Sequence, residues 1–343
     1  MNEMPATPKE MKQVIRSGIR SALLAMGSAT KAELSGKLDV SFPTISKFLA
    51  EMKEAGEIAT IGIDDSSGGR RAERYAYNPE YMLGLAVFLE REETNYTVFN
   101  CHGEVKEEGR RPSLLADPGD SLAELIGELI DRFPKIQSLA IGVPGAVNQG
   151  RIIHIPAYEA FQNFDLKSTL EARFGLPVVV ENDMNAAVWG YYHSIDPRDN
   201  PSLVYLYFGQ NGPGAGILIN GDVVRGHSFF SGEVYYVPQY EERNFGQALQ
   251  AGRNLGPGRA GAGPEGVDAV SRLVAACTAL INPHTIVFCH DEVSVSLLNE
   301  IKVQSAQYVP AEHLPRLMMS DWRRDYLTGL QQLGLHLMIS TRG

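Results

Sequence analysis

Two adjacent arginines, Arg70 and Arg71, follow the glycine pair Gly68-Gly69 near the N-terminal end of the chain. Their positive charges can bind phosphate, and the glycines favour a tight turn. The flanking segments, 57–63 and 71–77, have the residue pattern of short strands. This spacing predicts a β-hairpin wing whose arginines contact the phosphate backbone or a minor groove of DNA.

Helix-patterned segments precede this hairpin and must position it. Apolar residues recur every three or four positions between Lys9 and Met26, which predicts a first helix with one buried stripe. The stripe consists of Met11, Val14, Ile15, Ile19, Leu23 and Met26. Thr30 and Glu33 have the spacing of a capping box, so a short second helix is expected to follow as far as Leu38.

A third helix is expected to begin after Ser41, which can cap it, and to stop at Gly56, which can adopt a left-handed conformation. Its inward positions are Ile45, Phe48, Leu49 and Met52. Its leading turn and outward face carry Phe42, Pro43, Thr44, Ser46 and Lys47. That end of the helix enters the major groove in helix-turn-helix modules. Together with Arg70 and Arg71, these residues form the predicted DNA-binding face of a winged helix-turn-helix domain over residues 1–78.

The charge distribution fits a protein that contacts DNA through a few placed cations. Of the 31 Lys and Arg residues, 11 lie before residue 79, together with 10 of the 41 Asp and Glu residues. The first 78 residues are therefore nearly neutral, and the rest of the chain carries a net charge of −11. An acidic body disfavours non-specific adhesion to DNA, which suits a sequence-reading regulator.

The sequence has no signal-peptide pattern, no membrane-spanning pattern and no closely spaced cysteines. The N-terminus lacks the basic and apolar regions of a signal peptide, and no apolar run reaches the ~20 residues that span a bilayer. We therefore expect a cytoplasmic protein without a membrane partner. Cys101, Cys277 and Cys289 are far apart in the sequence, which predicts three reduced thiols in the core.

Beyond residue 78 the pattern changes to strands, then to helices alternating with buried strands. Strands are predicted at 82–89, 96–100, 105–110, 139–143, 178–180, 203–208, 216–219, 223–225 and 286–289, and helices at 121–133, 166–174 and 267–280. Two lobes, 79–195 and 196–343, with a cleft between them, describe an α/β body of the ribonuclease-H-like or actin-like type. The C-terminal helix is expected to pack back on the first lobe.

Several sequence blocks resemble the signature blocks of the ROK family, which groups repressors, open reading frames of unknown role and sugar kinases. The blocks are Ile141-Gly142-Val143-Pro144-Gly145-Ala146-Val147, Glu181-Asn182-Asp183, the segment 214–221, and Gly232-Glu233. The N-terminal module is similar to that of the repressor branch of the family.

The resemblance implies a ligand site between the lobes. Asn182 and Asp183 match the family's sugar-contacting pair, and Glu233 matches its carboxylate from the second lobe. Tyr158 and Tyr236 supply aromatic surface on which a sugar ring could stack. The hypothesis is a small sugar or polyol effector bound by Gly145, Tyr158, Asn182, Asp183, Glu233 and Tyr236. Lobe closure around it would shift the DNA-binding modules relative to each other.

The chain departs from the family's kinases at the phosphate turn and at the zinc site. Ala86 replaces the aspartate that handles the metal, the glycine pair is absent, and the acids Glu90, Glu92 and Glu93 crowd the turn. An acid ~4 Å from a triphosphate oxygen is unfavourable by about 1–4 kcal/mol. Tyr236 replaces the zinc-binding histidine, and no cysteine occurs between Cys101 and Cys277. We therefore expect no enzymatic activity, no cofactor and no bound metal.

These patterns together predict a DNA-binding transcriptional regulator of the ROK repressor type that binds its operator as a homodimer or tetramer. Two alternatives stay open at this point. One is a sugar kinase fused to a DNA-reading module. The other is a regulator or scaffold without a ligand, in which Asn182 and Asp183 form only a polar turn after a strand.

Overall fold

The computed structural model describes residues 7–63, 72–115, 120–155, 158–195, 201–209, 212–253 and 263–340. Arg70 and Arg71, the predicted wing arginines, lie outside these described residues. No helix within them is both long enough and apolar enough to cross a membrane.

The N-terminal part consists of helices followed by a β-hairpin. Its elements are α1 (Pro8–Met26), β1 (Ala29–Thr30), α2 (Lys31–Leu38), α3 (Phe42–Glu54), β2 (Ile58–Ile63) and β3 (Glu73–Tyr77). β3 lies between β1 and β2 and is antiparallel to both. This is the winged-helix arrangement that the sequence predicts, with the short strand β1 as an unpredicted third member of the sheet.

The helix boundaries arise from capping residues. The Glu33 amide donates to Thr30 Oγ1 at 3.3 Å, and the Thr30 amide donates to Glu33 Oε2 at 2.7 Å, which confirms the predicted capping box. Asp39 ends α2 in the left-handed conformation at φ +52°. Ser41 then caps α3 by accepting from the Thr44 amide at 3.4 Å. The sequence around α2 and α3 thus sets the turn between them locally.

The predicted buried stripe of α1 is wrong at three of its six positions. Met11, Val14 and Met26 are exposed, whereas Ile19 and Leu23 are buried in the core. The apolar spacing continues to both ends of this helix, but the neighbouring elements cover only its middle. Spacing alone does not show where the covering element stops.

A buried carboxylate joins α1 to the base of the hairpin, where β2 begins and β3 ends. Glu57 is fully buried and accepts a hydrogen bond from Arg16 Nε at 3.0 Å and one from the Tyr77 hydroxyl at 3.3 Å. Arg20, also buried, forms an ion pair with the same carboxylate. A buried charge is tolerated only when it is paired in this way. The cluster therefore fixes α1 to the segment that leads into the body.

The first lobe is built on a mixed sheet with the order β10-β7-β4-β5-β6. Its elements are β4 (Leu83–Leu89), β5 (Glu93–Asn100), β6 (Val105–Pro112), α4 (Asp120–Arg132), β7 (Ile136–Val143), β8 (Ala146–Asn148), β9 (Arg151–His154), α5 (Leu166–Phe174), β10 (Val178–Asn182) and α6 (Asp183–Ser194). The first three strands are antiparallel, as predicted, and β7 and β10 are parallel to β4 and to each other. The β8–β9 hairpin is not predicted by the sequence pattern.

The second lobe has a sheet with the order β13-β12-β11-β16-β17. Its elements are β11 (Leu203–Tyr207), β12 (Gly214–Ile219), β13 (Asp222–Val223), β14 (Pro238–Tyr240), β15 (Arg243–Asn244), α7 (Phe245–Arg253), α8 (Pro264–Leu280), β16 (Thr285–Cys289), α9 (Val295–Ser305), β17 (Arg316–Ser320) and α10 (Trp322–Ser340). The predicted strand 223–225 is observed as β13, which begins one residue earlier and ends at Val223. Cys101, Cys277 and Cys289 are free and buried.

Helices α6 and α10 cross between the two sheets at very short range. α10 packs against α6 and against β4 and β7, while α6 also packs against β11 and β12. A Cβ added to Gly190 of α6 would lie 1.8 Å from the Asp325 carbonyl oxygen, and one added to Gly329 of α10 would lie 1.9 Å from that of Ala186. Only glycine permits this backbone approach.

The core of the winged-helix part is continuous with the core between the lobes. One cluster of buried side chains includes Ile19 and Leu23 of α1, Met82 before β4, and Tyr326 and Leu330 of α10. α1 also contacts α10 directly. The N-terminal part is therefore packed on the helix that joins the lobes, rather than tethered by a linker.

Replacing Gly329 with alanine should separate α6 from α10 and lower the free energy of unfolding by about 1–3 kcal/mol, the usual cost of overpacking. Urea unfolding followed by circular dichroism measures this change. The matched control is Gly36→Ala in α2, where a Cβ meets nothing within 4 Å. That change should be neutral or stabilise by up to about 1 kcal/mol. Equal midpoints for wild type and Gly329→Ala would contradict the close crossing.

Candidate functional site

A cavity of about 370 Å³ lies between the two lobes. The β7–β8 turn, the end of β9 and the start of α6 form one wall, and β12 with the loop 225–236 forms the other. Five of the predicted ligand-site residues line it together: Gly145, Asn182, Asp183, Glu233 and Tyr236. Tyr158 does not, because its side chain packs, half-buried, against the core of the first lobe.

Asn182 and Asp183 are fixed at the junction of β10 and α6. The Asn182 side-chain oxygen caps α6 by accepting from the Asn185 amide at 3.0 Å, and its Nδ2 donates to the Gly145 carbonyl oxygen at 3.1 Å. Asp183 Oδ1 accepts from Asn182 Nδ2 at 2.9 Å and from the Met184 amide at 2.8 Å. Asp183 Oδ2 accepts no hydrogen bond from any described residue, so it is available to a ligand hydroxyl.

Glu233 supplies a second acid from the other lobe. It follows Gly232, whose φ of +94° and close approach to the Ala215 carbonyl oxygen fix the entry of the loop into the cavity. Within the part of the chain that is described, nothing donates a hydrogen bond to its carboxylate. Burial raises the pKa of Glu233, an effect that His154 partly offsets.

Burial, with smaller contributions from the nearby carboxylates Glu233 and Glu90, raises the pKa of Asp183 to about 7. The Met184 amide and Asn182 act in the opposite direction by hydrogen bonding to the ionised form. Asp183 faces the cavity, yet its carboxyl group lies deep enough to be largely shielded from water. Two poorly solvated acids facing one cavity favour a ligand that donates several hydrogen bonds.

Arg225 connects the cavity to a smaller one behind it. Its guanidinium pairs with the buried carboxylate of Glu181, which also accepts from the Asn182 amide at 2.9 Å and from Asn185 Nδ2 at 3.1 Å. The second cavity, of about 150 Å³, is lined by Glu181, Arg225 and the side chain of Trp189. The Glu181–Arg225 pair therefore joins the start of α6 to the second lobe just behind the ligand wall.

Sequence reasoning missed several residues that line the cleft. The largest of them are His154, Tyr207, Arg225, Phe229 and Phe230. A signal for the last two was present, because Phe229-Phe230 lies between Gly226 and Gly232, and paired aromatics in a glycine-bounded loop are candidates for ligand contact. No sequence signal marks His154 or Tyr207, which converge on the cavity only through the fold.

A neighbouring crevice of about 200 Å³ corresponds to the predicted phosphate turn. Its lining includes Glu90, Glu92 and Glu93, as the sequence indicates, together with Asp183. Arg323 at the start of α10 reaches across to Glu93 at 3.2 Å and to Glu90 at 3.6 Å.

Trp322, the first residue of α10, also fills part of this crevice. Its ring stacks on Tyr207 with a centroid separation of 4.3 Å and an interplanar angle of 3°. Since Trp322 is buried against Tyr207 and Arg323 is paired with acids, the side chains of the protein occupy space that a triphosphate would need.

The residues at the family's zinc position do not fit a zinc ion. Tyr235 and Tyr236 stand there and offer neither imidazole nor thiolate. Among the described residues, one group has ligand atoms close enough together for a metal, namely Cys289, His290 and Asp291. These three are consecutive in the sequence, lie at the end of β16, and do not line the cleft.

The predicted DNA-binding residues of α3 lie on one accessible surface. Phe42, Pro43 and Lys47 are exposed, and Thr44 and Ser46 are half-buried. Thr44 is engaged with the cap, since its hydroxyl lies 2.8 Å from that of Ser41. The leading turn of α3 therefore presents an apolar ring, a hydroxyl and an ammonium group to solvent.

Comparisons with known proteins relate this architecture to one family. Residues 85–242 match the ROK family. The chain carries a ROK family domain. That domain contains the five cavity-lining residues that the sequence predicts, from Gly145 to Tyr236, so these residues lie within the matched range.

Named relatives of the ROK domain include repressors and kinases. A xylose repressor of Caldicellulosiruptor bescii is 27% identical over 234 residues, which are 65% of this chain and 58% of that protein. A beta-glucoside kinase of Listeria innocua is 34% identical over 138 residues, 40% of this chain and 46% of that protein. The chain thus spans less than two thirds of the length of either relative.

A solved structure matches nearly the whole chain. The crystal structure of a ROK family transcriptional regulator, described as a homolog of the E. coli MLC protein, superimposes with a TM-score of 0.74 at 22% identity. The match covers 97% of this chain and 100% of that one. The predicted fold class, a winged helix-turn-helix followed by a two-lobed ROK body, is confirmed.

Asp183→Asn should change how stability depends on pH. The pKa of Asp183 is raised by folding, so between pH 4 and 7 the folded protein keeps a proton that the unfolded chain has lost. The free energy of unfolding of the wild type, relative to Asp183→Asn, should therefore fall with rising pH by up to ~1.4 kcal/mol per unit and level off above about pH 7. Thermal unfolding at several pH values measures it.

The control for this titration is Asp165→Asn. Asp165 caps α5, and the Ser168 amide lowers its pKa, so the aspartate is already ionised in both states above pH 5. The stability difference between this variant and wild type should stay constant from pH 5 to 8. A flat difference for Asp183→Asn as well would show that this carboxyl titrates normally.

Proposed function

We propose that the protein is a transcriptional regulator of the repressor type, which binds operator DNA through its winged helix and responds to a small sugar or polyol in the cleft. The observation that carries this proposal is the direct packing of a winged-helix module on the helix that joins the lobes of a ROK body. The relative named xylose repressor supports the same assignment.

The cleft supports an effector role better than a catalytic one. Asp183 and Glu233 can accept ligand hydroxyls from opposite lobes, at roughly 0.5–1.5 kcal/mol net per hydrogen bond. The crevice beside Asp183 is crossed by the Arg323–Glu93 pair and by the Trp322–Tyr207 stack. A kinase must hold a nucleotide phosphate there. The likeness to a beta-glucoside kinase therefore supports a shared sugar-binding cleft rather than phosphotransfer.

A continuous path of packed elements leads from the cleft to the DNA-binding part. Asn182 and Asp183 begin α6, α6 crosses α10 at the glycine contacts, and α10 contacts α1. Because α6 and α10 touch through backbone atoms, a shift of one helix must move the other. Closure of the lobes on an effector would then change the orientation of α1 and, through the core it shares with α3, the reading helix.

The operator is expected to be a palindrome read by two copies of the chain. One winged helix contacts few phosphates, and a two-fold pair of modules doubles the contact and fixes the half-site spacing. The acidic body keeps each copy away from non-specific DNA. A homodimer or a tetramer satisfies this requirement.

Replacing Arg70 and Arg71 with alanine should weaken operator binding and flatten its salt dependence. Each lost phosphate contact reduces the slope of log K against log salt by about 0.9. Fluorescence anisotropy with labelled operator at several salt concentrations measures both quantities. The matched control is Lys302→Ala with Arg316→Ala, which removes two exposed charges from the second lobe. If the wing variant and this control behave alike, the wing does not contact DNA.

Asp183→Ala should abolish any change of operator affinity caused by an effector and leave ligand-free DNA binding intact. D-xylose is the first probe, followed by a panel of pentoses, hexoses and polyols, with thermal shift used to find binders. A ligand at 100 times its Kd stabilises the wild type by about 2.7 kcal/mol. Asp291→Ala, an exposed acid away from the cleft, is the control. An undiminished response in Asp183→Ala would place the effector site elsewhere.

A further inference from the structure

Two aromatic rings stand uncovered at the cavity between the lobes. Phe230 is 54% exposed and Tyr236 is 57% exposed, and both line the cavity that contains Asp183 and Glu233. Their ring centroids are 5.4 Å apart with an interplanar angle of 38°. Single exposed apolar residues are common on protein surfaces, but two in mutual contact at a ligand cavity form a defined apolar platform.

The backbone joins this platform to the acid in the cavity. The Glu233 amide donates to the Phe230 carbonyl oxygen at 3.3 Å, and the Tyr236 amide donates to the Glu233 carbonyl oxygen at 3.1 Å. Glu233 is therefore placed between the two aromatic residues by main-chain hydrogen bonds. Tyr235 packs against Tyr236 from the side, with ring centroids 5.1 Å apart. Main-chain hydrogen bonds and ring contacts thus hold the acid and the rings together in one short segment.

The backbone of Phe229, which precedes Phe230, is strained. Phe229 has φ of +61°, a left-handed conformation that is unfavourable for an aromatic residue. Gly226 and Gly232, at φ +72° and +94°, bound the same loop. Strain of this kind persists where the surrounding structure enforces it, and here it turns Phe230 outward beside the cavity.

The cavity thus has two regions of different chemistry. Its interior offers carboxylate acceptors for the hydroxyl groups of one sugar ring, whereas the platform offers aromatic faces. A pyranose ring is polar at its edge and presents C–H groups on its faces, so it packs on aromatic rings while its hydroxyls remain in water. A single ring held by Asp183 and Glu233 leaves the exposed side of the platform free for a second ring.

Resting on the proposed effector role of this cleft, we propose that Phe230 and Tyr236 form a second sugar subsite, and that the ligand is a disaccharide or longer saccharide. Its terminal unit lies between Asp183 and Glu233, and the adjoining unit stacks on the platform. The specificity for length comes from the loop 226–236 rather than from the carboxylates.

The test compares matched sugars of one and two units, D-xylose with xylobiose and D-glucose with cellobiose, by isothermal titration calorimetry on the full chain. At least one disaccharide should bind about tenfold more tightly than its monosaccharide. Phe230→Ala should reduce this ratio to nearly one, and Phe230→Tyr, which keeps an aromatic face, should restore it. Asp183→Asn should instead weaken both sugars of a pair by a similar factor.

Three outcomes would overturn the subsite. The first is that the monosaccharide and the disaccharide of each pair bind with equal affinity. The second is that Phe230→Ala leaves the ratio of the two affinities unchanged. The third is that a phenyl glycoside binds tightly and neither disaccharide does. Operator binding measured in parallel separates the two proposals. If a monosaccharide releases the operator and the matching disaccharide binds no more tightly, the subsite is wrong but the effector role stands. If a disaccharide binds more tightly than its monosaccharide and neither changes operator affinity, the effector role is wrong but the subsite stands.

Discussion

The close crossing of α6 and α10 is the contact on which the rest of this structure depends. Gly190 and Gly329 bring the two backbones within van der Waals distance, and a methyl group at either position would collide with a carbonyl oxygen. The two sheets pack on opposite sides of this helix pair. Since the pair also carries the start of the ligand site and the contact with α1, one backbone approach sets the lobe spacing, the cleft and the docking of the DNA-binding part.

Electrostatics in the cleft follow from that geometry. Asp183 lies at the first turn of α6, where the Met184 amide favours its ionised form, while burial and the acids Glu233 and Glu90 oppose it. Arg225 lines the cleft and pairs with Glu181, and Arg323 in the neighbouring crevice pairs with Glu90 and Glu93. The cleft therefore retains acceptors for hydroxyl donors, and the one arginine among its described lining residues is already paired. A neutral polyhydroxylated ligand suits this distribution better than a phosphate ester.

Much of the fold could be predicted because local rules govern it. The Thr30–Glu33 capping box, the Ser41 cap and the left-handed Asp39 define α2 and α3 from sequence neighbours alone. The predicted strands and helices of both lobes lie within a few residues of observed elements, but α6, α7, α9 and β17 are not among the predictions. The prediction that Met11, Val14 and Met26 are buried is wrong because the burial of a helix face depends on a non-local contact, the element packed over it. Periodicity contains no information on where that element ends.

Some residues of the candidate site could also be found from the sequence, and others could not. The sequence alone pointed to the Glu-Asn-Asp turn, to Glu233 and to the loss of the aspartate at Ala86, because each lies in a contiguous block that can be compared with the ROK signature blocks. Only the tertiary structure brought His154, Tyr207 and Phe230 to the same cavity and placed Trp322 in the neighbouring crevice. These residues come from separate strands, loops and helices, and their distances are set by how the lobes pack around α6 and α10. Residue spacing along the chain fixes a turn or a helix face, whereas a cleft between lobes exists only once the long-range contacts have formed.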